Sequence, residues 1–412
     1  MRVLFVSDVY FPRVNGVSTS IRTFREDLAS CGVETLLVAP SYAGAPPQAE
    51  PGITRVSSAG VPGDPEDRRM RWGALKRALD SLDARGIDVV HVHTPFIAHY
   101  AGTRFARATH TPCVATYHTF FEEYLHHYVP VLPRGLGRVM ARAFTRAQCR
   151  DVQALVAPSE PMRRILYDYG VTTPIHVVPT GLPPDRFGPG DGQRFRARAG
   201  LPADRPLVLY VGRVAHEKNI DFLIRSFAHV RRRVPAALLV IAGEGPARAS
   251  LQQLVERLEL AAHVRFVGYL DREQTLLDCY AAAQVFVFAS RTETQGLVLL
   301  EAMAQGAPVV STAELGTSSI LTVESGALVV PEDLQAFAAA VARVLEDATL
   351  QSQLGATGRR YARGWSALAM AQRLAGLYRE LREGSRTCAD ARACIATPSA
   401  RGDTSVVRSG DA

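Results

Sequence analysis

Short apolar runs alternate along the chain with longer stretches of helical periodicity. Each run is apolar throughout and does not alternate with polar residues, which is typical of strands buried on both faces of a parallel sheet. In the first half the predicted strands cover residues 2–6, 35–39, 88–92, 113–117, 154–157 and 175–178. In the second half they cover residues 207–212, 238–242, 264–267, 285–289, 309–312 and 327–330.

Amphipathic stretches that separate these runs include residues 18–29, 69–84, 134–150, 219–232, 247–258 and 275–283. Alternation of this kind predicts an α/β fold built from βαβ units, with doubly wound parallel sheets. Because twelve strands would overcrowd one open sheet, we expect two sheets of about six strands each.

A turn-rich stretch near residues 180–200 separates the two halves. We therefore expect a first Rossmann-like domain over residues 1–185 and a second over 200–364. A helix at about 365–384 would cross back to the first domain. Residues 386–412 lack periodicity and are rich in Ser, Thr, Arg, Ala and Asp, which predicts a disordered tail.

Composition narrows the class of protein. The chain of 412 residues is 47% hydrophobic and 21% charged, as in ordinary globular proteins, and its formal net charge is +7. A mild basic excess favours anionic partners such as phosphates, nucleotides or acidic lipids.

Thinly spread cysteines indicate reduced thiols rather than a disulfide framework or a metal site. The first residues are too quickly polar for a signal peptide, and no apolar run approaches the ~20 residues that span a bilayer. We expect a cytoplasmic protein that is soluble or peripheral to a membrane.

Ligands of doubly wound sheets bind beyond the carboxyl ends of the strands, and with two such domains we expect a site in the cleft between them. Arg213 and Lys218 follow the first strand of the second half and flank the turn into a helix. A guanidinium and an ammonium at a helix entrance suit a diphosphate, although two solvated surface cations would give the same pattern.

A second candidate follows the strand at 285–289. Glu293 lies in the loop, Gly296 permits a close approach of the backbone where a helix begins, and Glu301 lies further along that helix. Carboxylates accept hydrogen bonds from the paired hydroxyls of a sugar or a ribose. Taken alone, Glu293 could instead favour the helix dipole, and Glu301 could pair with an arginine.

Glu293 and Glu301, within Thr-Glu-Thr-Gln-Gly-Leu-Val-Leu-Leu-Glu-Ala-Met-Ala, resemble the E-x7-E motif of retaining glycosyltransferases with the GT-B fold. That large family includes sucrose synthases and bacterial lipid α-mannosyl- and α-glucosyltransferases. Gly212-Arg213 with Lys218-Asn219 is similar to the phosphate-binding turn of the family. The segments 11–17 and 116–119 resemble its amino-terminal loop and its histidine segment.

On the donor, the resemblance implies that Glu301 binds the ribose hydroxyls. Glu293 would hold hydroxyls of the transferred hexose, with help from the backbone amides of Gly296 and Leu297.

For the leaving group, the resemblance implies that Arg213 and Lys218 neutralise the departing diphosphate. The loop at Gly16 would close over that diphosphate from the other domain. His118 would approach the hexose near the bond that breaks; without the resemblance, a satisfied core or cleft histidine would be the default interpretation.

Fixed positive groups must lie where charge develops on the leaving group. No Asp-x-Asp sequence occurs in the chain, so we predict a metal-independent enzyme with no cofactor, in which cations and amides take the role of a metal ion. The resemblance implies front-face substitution with retention, in which the leaving phosphate helps to deprotonate the acceptor hydroxyl. The donor is left open between UDP-glucose and GDP-mannose.

A row of arginines recurs at every fourth position on the predicted helix at 134–150, with apolar residues on another side; the row consists of Arg134, Arg138, Arg142, Arg146 and Arg150. Such a helix can lie on an anionic lipid surface, and it can equally be a cytosolic helix with a solvated basic face. His126, His127 and Tyr128 before it are candidates for an acceptor channel.

The segments 93–96 and 117–124 are similar to the diacylglycerol and phosphatidylinositol branch of the family. We therefore favour a lipid acceptor, with a polysaccharide or other glycan as the alternative.

Three other classes of protein fit the pattern less well. A nicotinamide-linked dehydrogenase should carry Gly-x-Gly-x-x-Gly after a strand, and the nearest string has Arg248 in place of the third glycine. A nucleic-acid binder should interleave aromatic residues with its arginines, which this chain does not do, so no nucleic-acid partner is expected. A GT-B epimerase or phosphorylase is the remaining alternative, although no lysine site for pyridoxal phosphate is evident.

Overall fold

A computed structural model of the chain describes residues 1–42, 50–61, 64–118, 134–272 and 274–396. Its strands in the first half are β1 (Arg2–Val6), β2 (Glu34–Pro40), β3 (Ile53–Val56), β4 (Ser58–Val61), β5 (Asp64–Met70), β6 (Val89–Val92), β7 (Cys113–Thr116), β8 (Ala154–Ala157) and β9 (Ile175–Val177). Its strands in the second half are β10 (Leu207–Val211), β11 (Leu238–Ala242), β12 (Val264–Gly268), β13 (Val285–Phe288), β14 (Val309–Ser311) and β15 (Leu328–Val329).

The α-helices of the described first half are α1 (Gly16–Ser30), α2 (Trp72–Asp80), α3 (Ile97–Thr109), α4 (Arg134–Cys149) and α5 (Glu160–Asp168). Those that follow are α6 (Gly192–Arg198), α7 (Ile220–Arg233), α8 (Arg248–Arg257), α9 (Thr275–Ala281), α10 (Leu297–Ala304), α11 (Leu334–Glu346), α12 (Ala348–Ala362) and α13 (Ala367–Ala396). No described helix is long and apolar enough to cross a membrane.

Two parallel sheets organise these elements. The first has the order β3-β2-β1-β6-β7-β8-β9 and the second has the order β12-β11-β10-β13-β14-β15. We call each sheet with the helices packed on it a lobe. In both lobes the strand order reverses beside the first strand, between β1 and β6 and between β10 and β13, and the carboxyl ends at such a reversal border a crevice that can take a ligand. The predicted α/β class, with two doubly wound parallel sheets as in the GT-B fold, is confirmed.

Alternate residues of β1 enter two different cores of the first lobe, as the period of a strand requires. Leu4 and Val6 pack with helices α2, α3, α4 and α5. Val3 and Phe5 pack on the other face with α1 and with residues of α13. Helix α13 therefore belongs to the core of the first lobe.

The chain passes between the lobes twice, and the two passages lie side by side. Leu182 donates its amide to the carbonyl of Trp365 at 2.7 Å, and its own carbonyl accepts from the amide of Ala367 at 3.1 Å. Gly181 permits this approach, because a Cβ atom there would lie 2.5 Å from the backbone of Ala367. The backbone thus ties the two passages into one connection.

Three details differ from the sequence-based expectation. The first sheet has seven strands rather than about six, and a two-stranded hairpin of β4 and β5 was not predicted. The helix expected over 69–84 begins only at Trp72 and ends at Asp80, because Arg69 and Met70 pair with β4. Helix α13 runs to Ala396 and so enters the segment that we predicted to be a disordered tail. Residues 397–412 lie outside the described residues, and so do the acceptor-channel candidates His126, His127 and Tyr128.

Candidate functional site

A cleft of about 330 Å³ lies between the lobes, beyond the carboxyl ends of the central strands. All the residues predicted to bind the donor line this cleft, and so does His118. Gly16 and His118 belong to the first lobe. The predicted residues of the second lobe are Arg213, Lys218, Glu293, Gly296, Leu297 and Glu301. We call the lining residues of each lobe its wall of the cleft.

Lys218 and Glu293 form an ion pair in the second-lobe wall. The ammonium of Lys218 donates to Oε2 of Glu293 at 2.8 Å, with both side chains about one fifth exposed. The loop that carries Lys218 is tied to the end of β13, since Asn219 donates its side-chain amide to the carbonyl of Ala289 at 3.1 Å. The geometry therefore couples a group predicted to bind phosphate with a group predicted to bind the hexose.

Arg213 follows β10 and lies 3.6 Å from Oε1 of Glu217, measured from Nη1. The hydroxyl of Tyr210, at the floor of the cleft, donates to the carbonyl of Arg213 at 3.1 Å. Burial, and then the neighbouring carboxylates of Glu293 and Glu217, raise the pKa of Tyr210 well above its usual value, so this hydroxyl keeps its proton. The guanidinium of Arg213 thus adds a positive charge to the wall that already holds the ammonium of Lys218.

Helix α10 begins at the cleft. Gly296 precedes it with φ at +96°, a left-handed conformation that residues with a Cβ rarely adopt. A Cβ atom there would also come within 3.0 Å of Leu299 and 3.1 Å of Thr317. Gly296 and Leu297 bring the amino-terminal end of the helix, with its positive dipole, to the cleft.

Glu301 is 2% exposed, and both of its carboxylate oxygens have partners. Arg272 forms an ion pair with Oε1, and the hydroxyl of Tyr280 donates to Oε2 at 3.0 Å. The sequence had left open that Glu301 pairs with an arginine, and the structure contains that pair. Its predicted role with ribose hydroxyls remains a prediction, because a hydroxyl would have to share or replace these partners.

Sequence reasoning missed Arg272 and Tyr280. Arg272 follows β12 at the same edge of the sheet as the other candidates, and this position is the signal that could have identified it. Tyr280 lies on α9 within an apolar stretch, where it is indistinguishable from a core residue.

His118 lies two residues beyond β7, in the first-lobe wall. Burial lowers its pKa from the ordinary 6.5 to about 4, so the ring is neutral at pH 7. Its Nε2 lies 3.4 Å from Nδ1 of His93, which the sequence analysis did not identify as a site residue. The backbone carbonyl of His118 accepts from the hydroxyl of Thr294 across the cleft at 3.0 Å.

Further contacts hold the loop before α10 against the first lobe. Gln295 donates its side-chain amide to the carbonyl of Thr180 at 2.6 Å and accepts from the amide of Thr180 at 2.8 Å. Ser159 donates its hydroxyl to the carbonyl of Thr294 at 2.7 Å. Glu293 is therefore placed by a loop that both lobes hold.

Gly16 is the first residue of α1, and the preceding Asn15 caps that helix by accepting from the amide of Ser18 at 2.8 Å. A Cβ atom on Gly16 would meet nothing within 4 Å. The loop thus presents the start of a second helix to the cleft, opposite α10.

The predicted basic helix is α4, and none of its described residues lines the cleft. Arg138 and Arg146 are exposed, whereas the guanidinium of Arg142 lies 5.0 Å from the centre of the Tyr169 ring. The side chain of Arg134 is outside the described residues. Leu136, Val139 and Met140 are each more than half exposed, which is unusual for three large apolar residues on one helix.

Within the described residues no group of three or more His, Cys, Asp or Glu side chains could hold a metal ion.

Comparison with known proteins identifies relatives over most of the chain. The family model described as Glycosyltransferase Family 4 matches residues 14–186, and the one described as Glycosyl transferases group 1 matches residues 191–361. An alpha-monoglucosyldiacylglycerol synthase of Streptococcus pneumoniae is 32% identical over 76% of this chain and 71% of its own. A GDP-mannose-dependent alpha-mannosyltransferase of Mycobacterium tuberculosis is 30% identical over 80% of this chain and 84% of its own. Among solved structures, sucrose-phosphate synthase from Thermosynechococcus elongatus superposes with a TM-score of 0.75 at 24% identity, over 93% of this chain and 99% of that one.

Proposed function

This chain belongs to the group 1 glycosyl transferases and is a hexosyltransferase, and from that premise we propose that it transfers glucose or mannose, with retention, from a nucleotide-diphosphate sugar to a membrane lipid. The observation that carries the proposal is the convergence of Arg213, Lys218 and Glu293 on one cleft between the lobes. A soluble glycan is the alternative acceptor.

The chemical step breaks the bond between the anomeric carbon and the diphosphate oxygen, and the electron pair leaves with the diphosphate. Arg213, Lys218 and the start of α10 would receive that negative charge, and one such preorganised donor is typically worth about 3–4 kcal/mol of barrier. The acceptor oxygen forms its bond on the same face of the sugar, and its proton passes to the departing phosphate. His118 would contact the hexose from the opposite wall.

The Lys218–Glu293 pair gives a reason why the diphosphate would bind before the hexose is held. A diphosphate that takes the ammonium of Lys218 removes the partner of Glu293. The freed carboxylate then accepts from hydroxyls of the hexose, so that binding of the leaving group prepares the binding of the transferred group. Gly16 would approach the diphosphate from the first lobe, and Glu301 would exchange a present partner for the ribose.

We propose metal-independent transfer because the cations of Arg213 and Lys218 and the start of α10 already face the cleft. A panel of nucleotide sugars, with and without EDTA, tests the donor and the metal together. We expect hydrolysis or transfer with UDP-glucose or GDP-mannose that is unchanged by EDTA. Loss of activity in EDTA that Mg²⁺ or Mn²⁺ restores would overturn metal independence, and a panel without any active hexose donor would overturn the function.

The lipid acceptor is supported by the surface of α4 as well as by the diacylglycerol synthase among the relatives. On this helix Leu136, Val139 and Met140 expose apolar surface, and Arg138 and Arg146 are exposed as well. A helix that exposes both apolar side chains and arginines can lie on an anionic lipid surface, since the former enter the acyl boundary and the latter meet the phosphates. We therefore propose that the first lobe binds peripherally to an anionic membrane.

Vesicle sedimentation tests this part of the proposal. Arg138→Glu with Arg146→Glu should abolish binding to vesicles that contain anionic phospholipid. The matched control is Arg257→Glu with Arg343→Glu, which makes the same change of charge at exposed positions of the second lobe and should leave binding intact. If both double variants bound the vesicles as well as the unmodified protein, membrane binding through α4 would be overturned and a soluble glycan would be the favoured acceptor.

A further inference from the structure

Two buried histidines lie behind His118 in the first lobe, and the mechanism above does not use them. His91 lies in β6 and His93 directly follows that strand, and each is 1% exposed. Their rings stack with centroids 4.0 Å apart, and the ring of His93 is nearly parallel to that of His118 with centroids 5.7 Å apart. The three rings form a row that leads from the core to the cleft, and we call it the histidine row.

The inner end of the histidine row is anchored by hydrogen bonds. Nδ1 of His91 lies 2.5 Å from the hydroxyl of Tyr378, a fully buried residue of α13. Nε2 of His91 lies 2.7 Å from the hydroxyl of Thr116, two residues before His118. Phe5 packs against both His91 and His93. His91 therefore has a fixed ring orientation against which His93 stacks.

The position of the proton on His93 follows from its surroundings. Burial holds the pKa of His93 and His118 below the usual value, so both rings are neutral at pH 7 and each carries one N–H. Nε2 of His93 is buried and has no hydrogen-bond partner among the described residues. An N–H group buried without a partner is rarer and costlier than a bare lone pair. The proton of His93 therefore belongs on Nδ1, where it is donated to Nε2 of His118.

We propose that His93 is a positioning residue that fixes both the tautomer and the ring orientation of His118. With its Nε2 accepting from His93, His118 carries its own proton on Nδ1. It enters the reaction as a hydrogen-bond donor through Nδ1 and not as a base through Nε2. This inference rests on the proposed function only in giving His118 a sugar to contact, because the tautomer itself exists without substrate.

The tautomer can be observed directly. Long-range ¹H–¹⁵N correlation spectra of protein labelled on histidine distinguish Nδ1–H from Nε2–H, and His118→Gln identifies the signals of His118. We expect His118 as the Nδ1–H tautomer in the unmodified protein. A neutral His118 with its proton on Nε2 would overturn the proposal, whatever the donor panel shows. A panel without activity combined with the expected tautomer would overturn the function and leave this inference standing.

Two substitutions at position 93 separate positioning from folding. The side-chain amide of His93→Asn lies where Nδ1 lay and can still donate, whereas His93→Phe fills the space without a donor. We expect His93→Phe to lower kcat by roughly 10- to 100-fold with little change in donor KM, as when an oriented histidine loses the partner of its second nitrogen, and His93→Asn to restore most of kcat. Equal kcat values for the two variants would contradict the proposal.

His99→Phe is the matched control, since His99 is also a buried histidine of the first lobe but lies on α3 outside the row. We expect it to reduce thermal stability as His93→Phe does and to leave the His118 tautomer and kcat unchanged. A fall in kcat equal to that of His93→Phe would show that general destabilisation, not positioning, is the cause.

Discussion

The two walls of the cleft carry different kinds of polar group. The second-lobe wall is ionic, and its charges are paired: Lys218 with Glu293, and Arg272 with Glu301. The first-lobe wall presents a neutral histidine, His118, with two more neutral histidines stacked behind it. One wall carries paired charges, and in our proposal the other carries fixed proton positions.

In the proposed reaction this difference would suit the two halves of the transfer. A nucleotide diphosphate brings charge that protein cations must balance, and paired carboxylates keep those cations oriented until it arrives. An uncharged acceptor hydroxyl needs directed hydrogen bonds more than charge. Among the described residues that line the cleft, the first lobe contributes no carboxylate that would repel the departing diphosphate.

The largest effect should follow from removing a charge from the ionic wall. Lys218→Ala takes away a cation that would meet the leaving group and leaves Glu293 without its partner, so we expect kcat to fall by about 100- to 1,000-fold. Steady-state kinetics with the active donor measures this. Lys76→Ala, at an exposed lysine of α2 paired with Asp80, should leave kcat unchanged. A loss of less than tenfold in Lys218→Ala would mean that the ionic wall does not carry the charge of the leaving group.

The neutral wall should depend on helix α13. Leu374 is fully buried between α13 and the first sheet, and Leu374→Ala should destabilise the first lobe by about 2–5 kcal/mol. Hydrogen exchange should then become faster in β1 and β6 and stay unchanged in β10 and β13. The matched control, Leu251→Ala in the second lobe, should reverse that pattern. If Leu374→Ala instead made exchange faster only in β10 and β13, then α13 would belong to the second lobe and our assignment would be wrong.

Acidification should act on the neutral wall through its histidines. His118 has a pKa of about 4 when folded and about 6.5 when unfolded, so its contribution to stability is complete above pH 6.5 and is lost as the pH falls towards 4. Asp8 opposes this trend, because burial raises its pKa to about 6 in spite of a hydrogen bond from Thr94. The comparison with His118→Gln isolates the histidine.

Urea unfolding at pH 7 and at pH 5 measures this effect. On lowering the pH, the unmodified protein should lose on the order of 1–2 kcal/mol more than His118→Gln does. An equal loss in both proteins would mean that folding does not lower the pKa of His118.

The smallest effect should come from ion pairs outside the cleft. Arg233 and Glu346 pair on the surface of the second lobe with both side chains at least 40% exposed. A double-mutant cycle of Arg233→Gln and Glu346→Gln should give a coupling below about 1 kcal/mol, since exposed pairs are well solvated. A coupling several times larger would contradict the view that ionic contacts matter mainly in the cleft.

Much of the fold could be predicted because buried parallel strands are continuous apolar runs. Leu207–Val211 and Val285–Phe288 are of this kind, and both were recognised. The strand Asp64–Met70 was not recognised, because its residues are mostly charged and show no pattern of apolar positions. It forms a hairpin with β4. Edge and hairpin strands take their structure from a partner rather than from their own pattern.

The site was predictable where chemistry is local in the chain. Arg213 and Lys218 share one loop, and Glu293 and Glu301 share a loop and the helix that follows it. The partners of these residues were not predictable in the same way. Arg272 reaches Glu301 from 29 positions away, and Tyr378 reaches His91 from 287 positions away, so both contacts exist only once the chain has packed.

Helix α13 also has a consequence for how the protein is made. The first sheet has its last strand at Ile175–Val177, but part of its apolar face is covered only by residues near Leu374. The ribosome must add the whole second lobe in between, which at ~5–20 residues per second takes on the order of ten to forty seconds. During that interval the nascent first lobe exposes an incomplete core, and it is then that a chaperone would be needed.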